Sequence, residues 1–300
     1  MDINQEKSVE QLFTNEPLVL YDYLLRNTLS SIYIEQKKTQ RDGWENYFNL
    51  LIDKFAIHSS SFFHLSCGII EHRKSGEQVR MNGYDIFTVN AVFRTIIETY
   101  ATLHHIFIEP TSYEEKEFRF LLWKIDGLTE KSRFLINEKD FTEAKTIMEN
   151  DRIILGKVIS KFQNCQFYKS LSQNQIDKIY KPEKKRFHWR FLHSNGEIKP
   201  LNIISLINHV FKARMFVYTY KHTSIHTHSN YYALEEFEKI RGKVLSEKQT
   251  DPLVRLAIMT TAMLIDDICI VDDNAKLLPL PIPIINFVRG MSKSIRESAD

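Results

Sequence analysis

The sequence predicts an all-α protein, a multi-helix bundle forming one domain over residues 1–300 with an irregular mid-chain insertion, and three observations predict it. Turn formers are scarce, with 9 Gly and 8 Pro in 300 residues, too few for the many tight turns of a sandwich or barrel. Apolar residues recur at spacings of three and four over long uninterrupted blocks, which is the period of an amphipathic helix and not of a half-buried strand. One stretch breaks that pattern. Residues 164–200 are polar and aromatic, carry Lys181-Pro182-Glu183-Lys184-Lys185-Arg186 and the turn Ser194-Asn195-Gly196, and read as a flap with at most one short helix.

From Glu16 to about Gln40, Leu18, Leu20, Tyr21, Leu24, Leu25, Leu29, Ile32 and Tyr33 keep helical spacing behind Pro17, a residue favoured in the first turn of a helix. Trp44 to Ile70 repeats the pattern until Ser75-Gly76 breaks the chain. Asp85 to Ile108 is apolar around nearly its whole circumference and stops before Pro110, as expected of a central helix surrounded by others. Thr111 and Ser112 stand just ahead of Glu114 and Glu115 and cap the next helix, which runs to about Ile136. Asp140 to Phe162 is a further helix, offering Ile147, Ile153, Ile154, Val158 and Ile159 to the core. Helical patterning resumes over Leu201–His228, Leu234–Val244, Pro252–Asp272 and Ile282–Ile295.

A composition of 43% hydrophobic and 26% charged residues is that of an ordinary globular chain. The net charge of +2 gives no general affinity for nucleic acid, so any such affinity must come from a local patch. Cys67, Cys165 and Cys269 show no CxxC spacing and sit among apolar neighbours, as buried reduced thiols do. The start, Met1-Asp2-Ile3-Asn4-Gln5-Glu6-Lys7, has neither the basic nor the apolar region of a secretion signal, so a cytoplasmic location is expected. No membrane partner is expected, because the most apolar window, Leu256 to Val271, includes Asp266 and Asp267 and falls short of the roughly 20 residues that span a bilayer.

Two polar patterns stand out from this apolar background. In the central helix Asn90, Arg94, Glu98 and His105 fall within about 80° of one another at about 100° per residue, a narrow polar stripe on a buried helix. Charges placed there must meet polar groups from a cleft or a partner helix, because burying an unpaired ion costs several kcal/mol. The second pattern is Tyr220-Lys221-His222-Thr223-Ser224-Ile225-His226-Thr227-His228-Ser229. Helical phase splits it into a Tyr220, Ser224 and His228 face and a His222 and His226 face nearly opposite. The first face suits hydrogen bonding to the Arg94 and Glu98 stripe, and an imidazole titrating near neutrality suits proton transfer. His222-x3-His226 has the spacing of a helical chelate, but there is no HExxH and a third ligand must come from elsewhere. No metal or cofactor is therefore assigned. Asp266, Asp267, Asp272 and Asp273 read as groups that cap and solvate a helix end.

The combination of Arg94-x3-Glu98, the aliphatic run to Pro110, Trp189, and Tyr220-x3-Ser224-x3-His228 resembles a bacterial all-helical family of unknown function, over most of residues 45–240. More distantly it resembles the HEPN superfamily of helical nucleotide-binding proteins, many of them ribonucleases of toxin or phage-defence systems. The family resemblance implies a helical domain whose Arg-Glu and Tyr-Ser-His elements face one another and no established reaction; the more distant HEPN likeness implies a metal-independent ribonuclease or toxin-type effector of bacterial defence. HEPN ribonucleases carry an Arg, four to six residues, then a His, and Arg186 to His193 meets that spacing. Around it Lys184, Lys185, Arg186, Trp189, Arg190 and His193 interleave cations with aromatics, a combination suited to phosphate neutralisation and base stacking on single-stranded RNA. The competing expectation is a non-enzymatic helical module, binding nucleic acid or pairing with a second copy through the apolar Leu277 to Val288.

Overall fold

The structure is a computed structural model that describes residues 7–38, 41, 43–68, 70–72, 74–76, 78–80, 85–134, 142–184, 186–228, 230–240, 250–272, 275 and 280–298. Among these residues helix follows helix, and the strands form three short antiparallel pairs. The all-α expectation holds. Contacts divide the chain into two compact units, Met1–His104 with Ile207–Asp300, and His105–Leu206. The sequence suggested one domain with an insertion at 164–200; the middle third instead closes around a core of its own.

In the first unit α1 (Val9–Asn15) starts from a reciprocal cap, with Ser8 accepting from the Gln11 backbone and Gln11 from the Ser8 backbone. α2 (Pro17–Tyr23) and α3 (Ser30–Lys38) are joined through a π turn, Leu24–Leu29, so the apolar pattern read as one helix is one continuous helical run. α4 (Asn46–Ser66) buries Phe48, Leu51, Ile52, Phe55 and Phe62 along one side. The Ser75-Gly76 break is the turn of a hairpin, β1 (Ile70–His72) with β2 (Gln78–Arg80). α5 (Ile86–Leu103) starts at Asp85, whose carboxylate accepts from the Thr88 N–H at 3.0 Å. It packs against α4, α11 (Arg214–Thr227) and α13 (Asp251–Val271), and fully buries Phe93, Ile96, Ile97, Tyr100 and Leu103.

The helix expected over Leu201–His228 is two helices, α10 (Ile203–Phe211) and α11, because Lys212 takes φ 55°, a left-handed conformation that no helix can contain. α12 (Tyr231–Ile240) then begins at Asn230, whose side chain accepts from the Tyr232 N–H at 3.0 Å. α14 (Ile282–Glu297) packs on α13 and buries Ile284, Phe287 and Val288. Of the apolar stretch expected to meet a second copy, these three residues are covered inside the unit, Ile282 is exposed, and residues 277–279 lie outside the described ones. Asp267 likewise does not solvate a helix end. It is fully buried, accepts from the Tyr100 hydroxyl at 2.7 Å and pairs with Arg296. Asp272 is buried beside Arg41 at 2.8 Å, and Asp273 lies outside the described residues.

In the second unit α6 (Tyr113–Phe134) starts at Ser112, whose hydroxyl accepts from the Glu115 N–H at 3.1 Å as the sequence suggested. α7 (Thr142–Asn164) packs on it through Phe118 and Phe162, whose rings stack at 4.9 Å. Of the residues α7 was expected to bury, Val158 is buried but Ile147, Ile153 and Ile154 are exposed. Residues 164–200 are more regular than expected. They form α8 (Gln166–Ser170), α9 (Gln173–Ile179) and two hairpins, β3 (Tyr180–Lys181) with β4 (Arg186–Phe187) and β5 (Phe191–Ser194) with β6 (Glu197–Pro200). The reason is local: Ser172 and Gln175 form a capping box, and Asn195 and Gly196 supply the positive φ values of the second turn. Of the three thiols only Cys165 is buried; Cys67 and Cys269 are half-buried.

Candidate functional site

The stripe on α5 and the Tyr-Ser face of α11 meet. Each presents two residues four apart, so one turn of α5 lies against one turn of α11. Arg94 donates from Nε to Glu98 Oε1 at 2.9 Å, and from Nη1 to Ser224 Oγ at 3.1 Å and Thr227 Oγ1 at 3.3 Å. Tyr220 donates its hydroxyl to Glu98 Oε1 at 2.6 Å, and the guanidinium sits 5.0 Å from the centre of the Tyr220 ring. The pairing of Arg94 and Glu98 with Tyr220 and Ser224 is therefore as expected, with Thr227 as a member the sequence did not single out.

This cluster is not a dry core. The side chain of Arg94 is 25% exposed and that of Glu98 36%. Burial opposes the Arg94 charge, but the Glu98 carboxylate outweighs it and raises the guanidinium pKa. Burial and then the bond to Glu98 push the Tyr220 phenol up to about 12, so near neutrality it is a proton donor and never a base. His228 does not join them. It closes the C-terminal end of α11 in an exposed position, its backbone N–H on Ile225 O at 3.4 Å, and no hydrogen bond links it to Arg94 or Glu98 among the described residues.

His105 stands in the π turn His104–Ile108, and no hydrogen bond joins it to Arg94 or Glu98 among the described residues. It belongs to a sealed network in the second unit. Arg119 on α6, 1% exposed, donates to His105 O and Glu109 Oε2, both at 2.8 Å, and to Glu115 Oε1 from Nε at 3.0 Å and Nη2 at 2.6 Å. Burial, then the adjacent Arg119 charge, lowers the His105 pKa to about 4. The neutral ring lies 3.2 Å from Trp189 O through Nε2 and 2.8 Å from Arg119 Nη1 through Nδ1. Arg119 was not anticipated, although a lone Arg among Phe118, Phe120, Leu121 and Leu122 is itself a signal of an ion in a core.

The basic and aromatic segment is divided by its hairpins. Tyr180, Phe187 and Trp189 are buried, Trp189 against His105 and Trp123 at ring separations of 6.1 and 6.3 Å. They are core residues and offer no face to a base. The Arg190 guanidinium lies over the Trp189 ring at 4.6 Å. Lys184 and Arg186 remain exposed, and Lys185 lies outside the described residues. Arg186 pairs with Lys181 in one hairpin and His193 with Ile198 in the other, so neither stands at a helix start as the HEPN pattern requires. His193 packs edge-on against Phe167 at 5.3 Å and lies 3.7 Å from the Glu115 carboxylate.

On α11 the second histidine face finds a third group. Glu236 of α12 brings Oε2 to 2.9 Å from His226 Nε2 and 3.4 Å from His222 Nε2. A carboxylate ten positions beyond His226, on the next helix, leaves no local spacing motif.

No family model, no curated protein and no solved structure matches the chain. No described helix is long and apolar enough to cross a membrane.

Proposed function

We propose that the Arg94 cluster is directed at a phosphodiester and that the protein is a metal-independent, HEPN-like ribonuclease, a toxin-type effector of bacterial defence. The observation that supports this reading is a guanidinium oriented by one carboxylate and two hydroxyls while a quarter of its side chain stays open to solvent. Cleavage of RNA without a metal needs a base for the 2′-hydroxyl, an acid for the leaving oxygen and a cation for the charge of the phosphorane.

Arg94 is the cation in this reading, and Glu98, Ser224 and Thr227 hold it in place. His228, one helical turn beyond Ser224 and exposed, takes the proton of the 2′-hydroxyl. The 2′-oxygen then bonds to phosphorus as the bond to the 5′-oxygen breaks, and solvent water, which reaches this exposed position, protonates the departing 5′-oxygen and recovers its proton from His228, leaving a 2′,3′-cyclic phosphate and a 5′-hydroxyl. Tyr220 Oη–H, with its high pKa, donates a hydrogen bond and is not consumed.

Incubation with labelled single-stranded RNA in the presence of a chelator tests this. The expected products carry cyclic phosphate ends, and Arg94→Ala with His228→Ala abolishes them; undiminished cleavage by that double variant refutes the assignment. The second reading, a nucleic-acid-binding module without catalysis, draws on the exposed cations Lys184 and Arg186. Because the neighbouring aromatics are buried, it implies phosphate contact without stacking, hence weak, strongly salt-dependent binding and intact RNA in the same assay.

A further inference from the structure

His222 and His226 are four apart on α11, which puts both imidazoles on one face with ring centres 4.8 Å apart. α12 turns back after Asn230 and sets Glu236 against them, so that two Nε2 atoms approach a single carboxylate oxygen at 2.9 and 3.4 Å. One ligand atom from each of the three residues lies within 4.8 Å of the others. Zinc-ligand bonds of about 2.0–2.2 Å place neighbouring ligand atoms at such separations after small side-chain adjustments.

The contact with Glu236 accounts for one ring nitrogen of His226 only. His226 is 2% exposed, its side chain is fully buried, its Nε2 meets the Glu236 carboxylate at 2.9 Å, and its Nδ1 has no hydrogen-bond partner among the described residues. Natural cores rarely leave a buried polar atom without a partner.

The surroundings have the character of an outer shell. Tyr232 stands one helical turn before Glu236 on α12, on the same face. Phe87 packs against both His226 and Phe237, at 6.1 and 5.3 Å, and walls off the inner side. The outer side is open, with the His222 side chain 45% exposed.

We propose that His222, His226 and Glu236 bind a divalent transition-metal ion of the zinc class, clipping α12 to α11 and leaving a coordination position open to solvent. Two imidazoles and one carboxylate favour zinc, cobalt, nickel or iron over magnesium or calcium, which take oxygen ligands. The inference is independent of the ribonuclease reading, since it uses the opposite face of α11.

Calorimetric titration of Zn²⁺ into full-length, chelator-stripped protein tests it. One ion per chain is expected, with a rise in Tm, and no heat from Mg²⁺. His222→Ala, whose residue is half exposed and whose loss leaves the core intact, and Glu236→Gln each weaken binding at least about tenfold. The Co²⁺ form shows d–d absorption without a thiolate charge-transfer band, separating this site from the three cysteines. Arg94→Ala binds Zn²⁺ like the unaltered chain, whatever its effect on RNA. Absence of Zn²⁺ binding, or binding that survives both His222→Ala and Glu236→Gln, overturns the proposal.

Discussion

The two units build polar clusters from the same ingredients and use them differently. Each has an Arg and a Glu four apart on a helix: Arg94 with Glu98 on α5, Glu115 with Arg119 on α6. Arg119 is 1% exposed and is enclosed by two carboxylates, a backbone carbonyl and an imidazole. Arg94 meets one carboxylate and two hydroxyls and is 25% exposed. A buried guanidinium with every nitrogen engaged and no solvent access has little left for a ligand, whereas an oriented one that still meets solvent can exchange water for an anion. Spacing alone, which is the same in both, does not distinguish scaffold from site; the number of partners and the exposure do.

The sharpest way to break the comparison is to remove each guanidinium. Arg119→Met strands Glu109 and Glu115 beside an apolar side chain, and losing one partner of a buried ion cluster typically costs about 3–5 kcal/mol. Urea denaturation should show a loss of that size, whereas Arg94→Met should lose no more than about 1 kcal/mol, as partly exposed pairs do. Equal losses would mean that Arg94 is as structural as Arg119.

Acid separates the units next. His105 has its pKa lowered to about 4 in the folded chain, against an ordinary value near 6.5. Between those values the unfolded chain takes up the proton first, so the contribution is whole above about pH 6.5 and is lost as pH falls toward 4. At about 1.4 kcal/mol per pH unit the loss approaches roughly 3 kcal/mol. Stability measured from pH 7 to 4 should fall accordingly, with a shallower slope in His105→Gln. Tyr220, raised to about 12, is unchanged over that range, so the Arg94 cluster loses nothing through it.

These contrasts mark what the sequence could and could not reveal. Helices such as α4 and α5 were legible because one helix period governs twenty or so residues, and the meeting of Arg94 and Glu98 with Tyr220 and Ser224 was legible because both pairs obey that period. Local exceptions were not: the π turn over His104–Ile108, and Lys212 at φ 55°, carry no composition signal. Trp189 reads as an exposed stacking residue beside Lys184 and Arg186, yet packing on His105 and Trp123 decides its fate. Glu236 was invisible for the same reason, since its partners lie on another helix.

The smallest expected effect probes the hydroxyl that joins α11 to α5. Tyr220→Phe keeps the ring under the Arg94 guanidinium but removes the 2.6 Å bond to Glu98. Glu98 keeps its bond from Arg94 and stays 36% exposed, so water replaces the lost donor. The cost should be about 0.5–1.5 kcal/mol, read as a modest shift of the denaturation midpoint with unchanged m-value. If the cluster is a site, RNA affinity and cleavage fall further than this small shift implies, because Glu98 then holds Arg94 less firmly. If it only clasps two helices, RNA properties do not move at all, and that result assigns both Arg-Glu clusters to the scaffold.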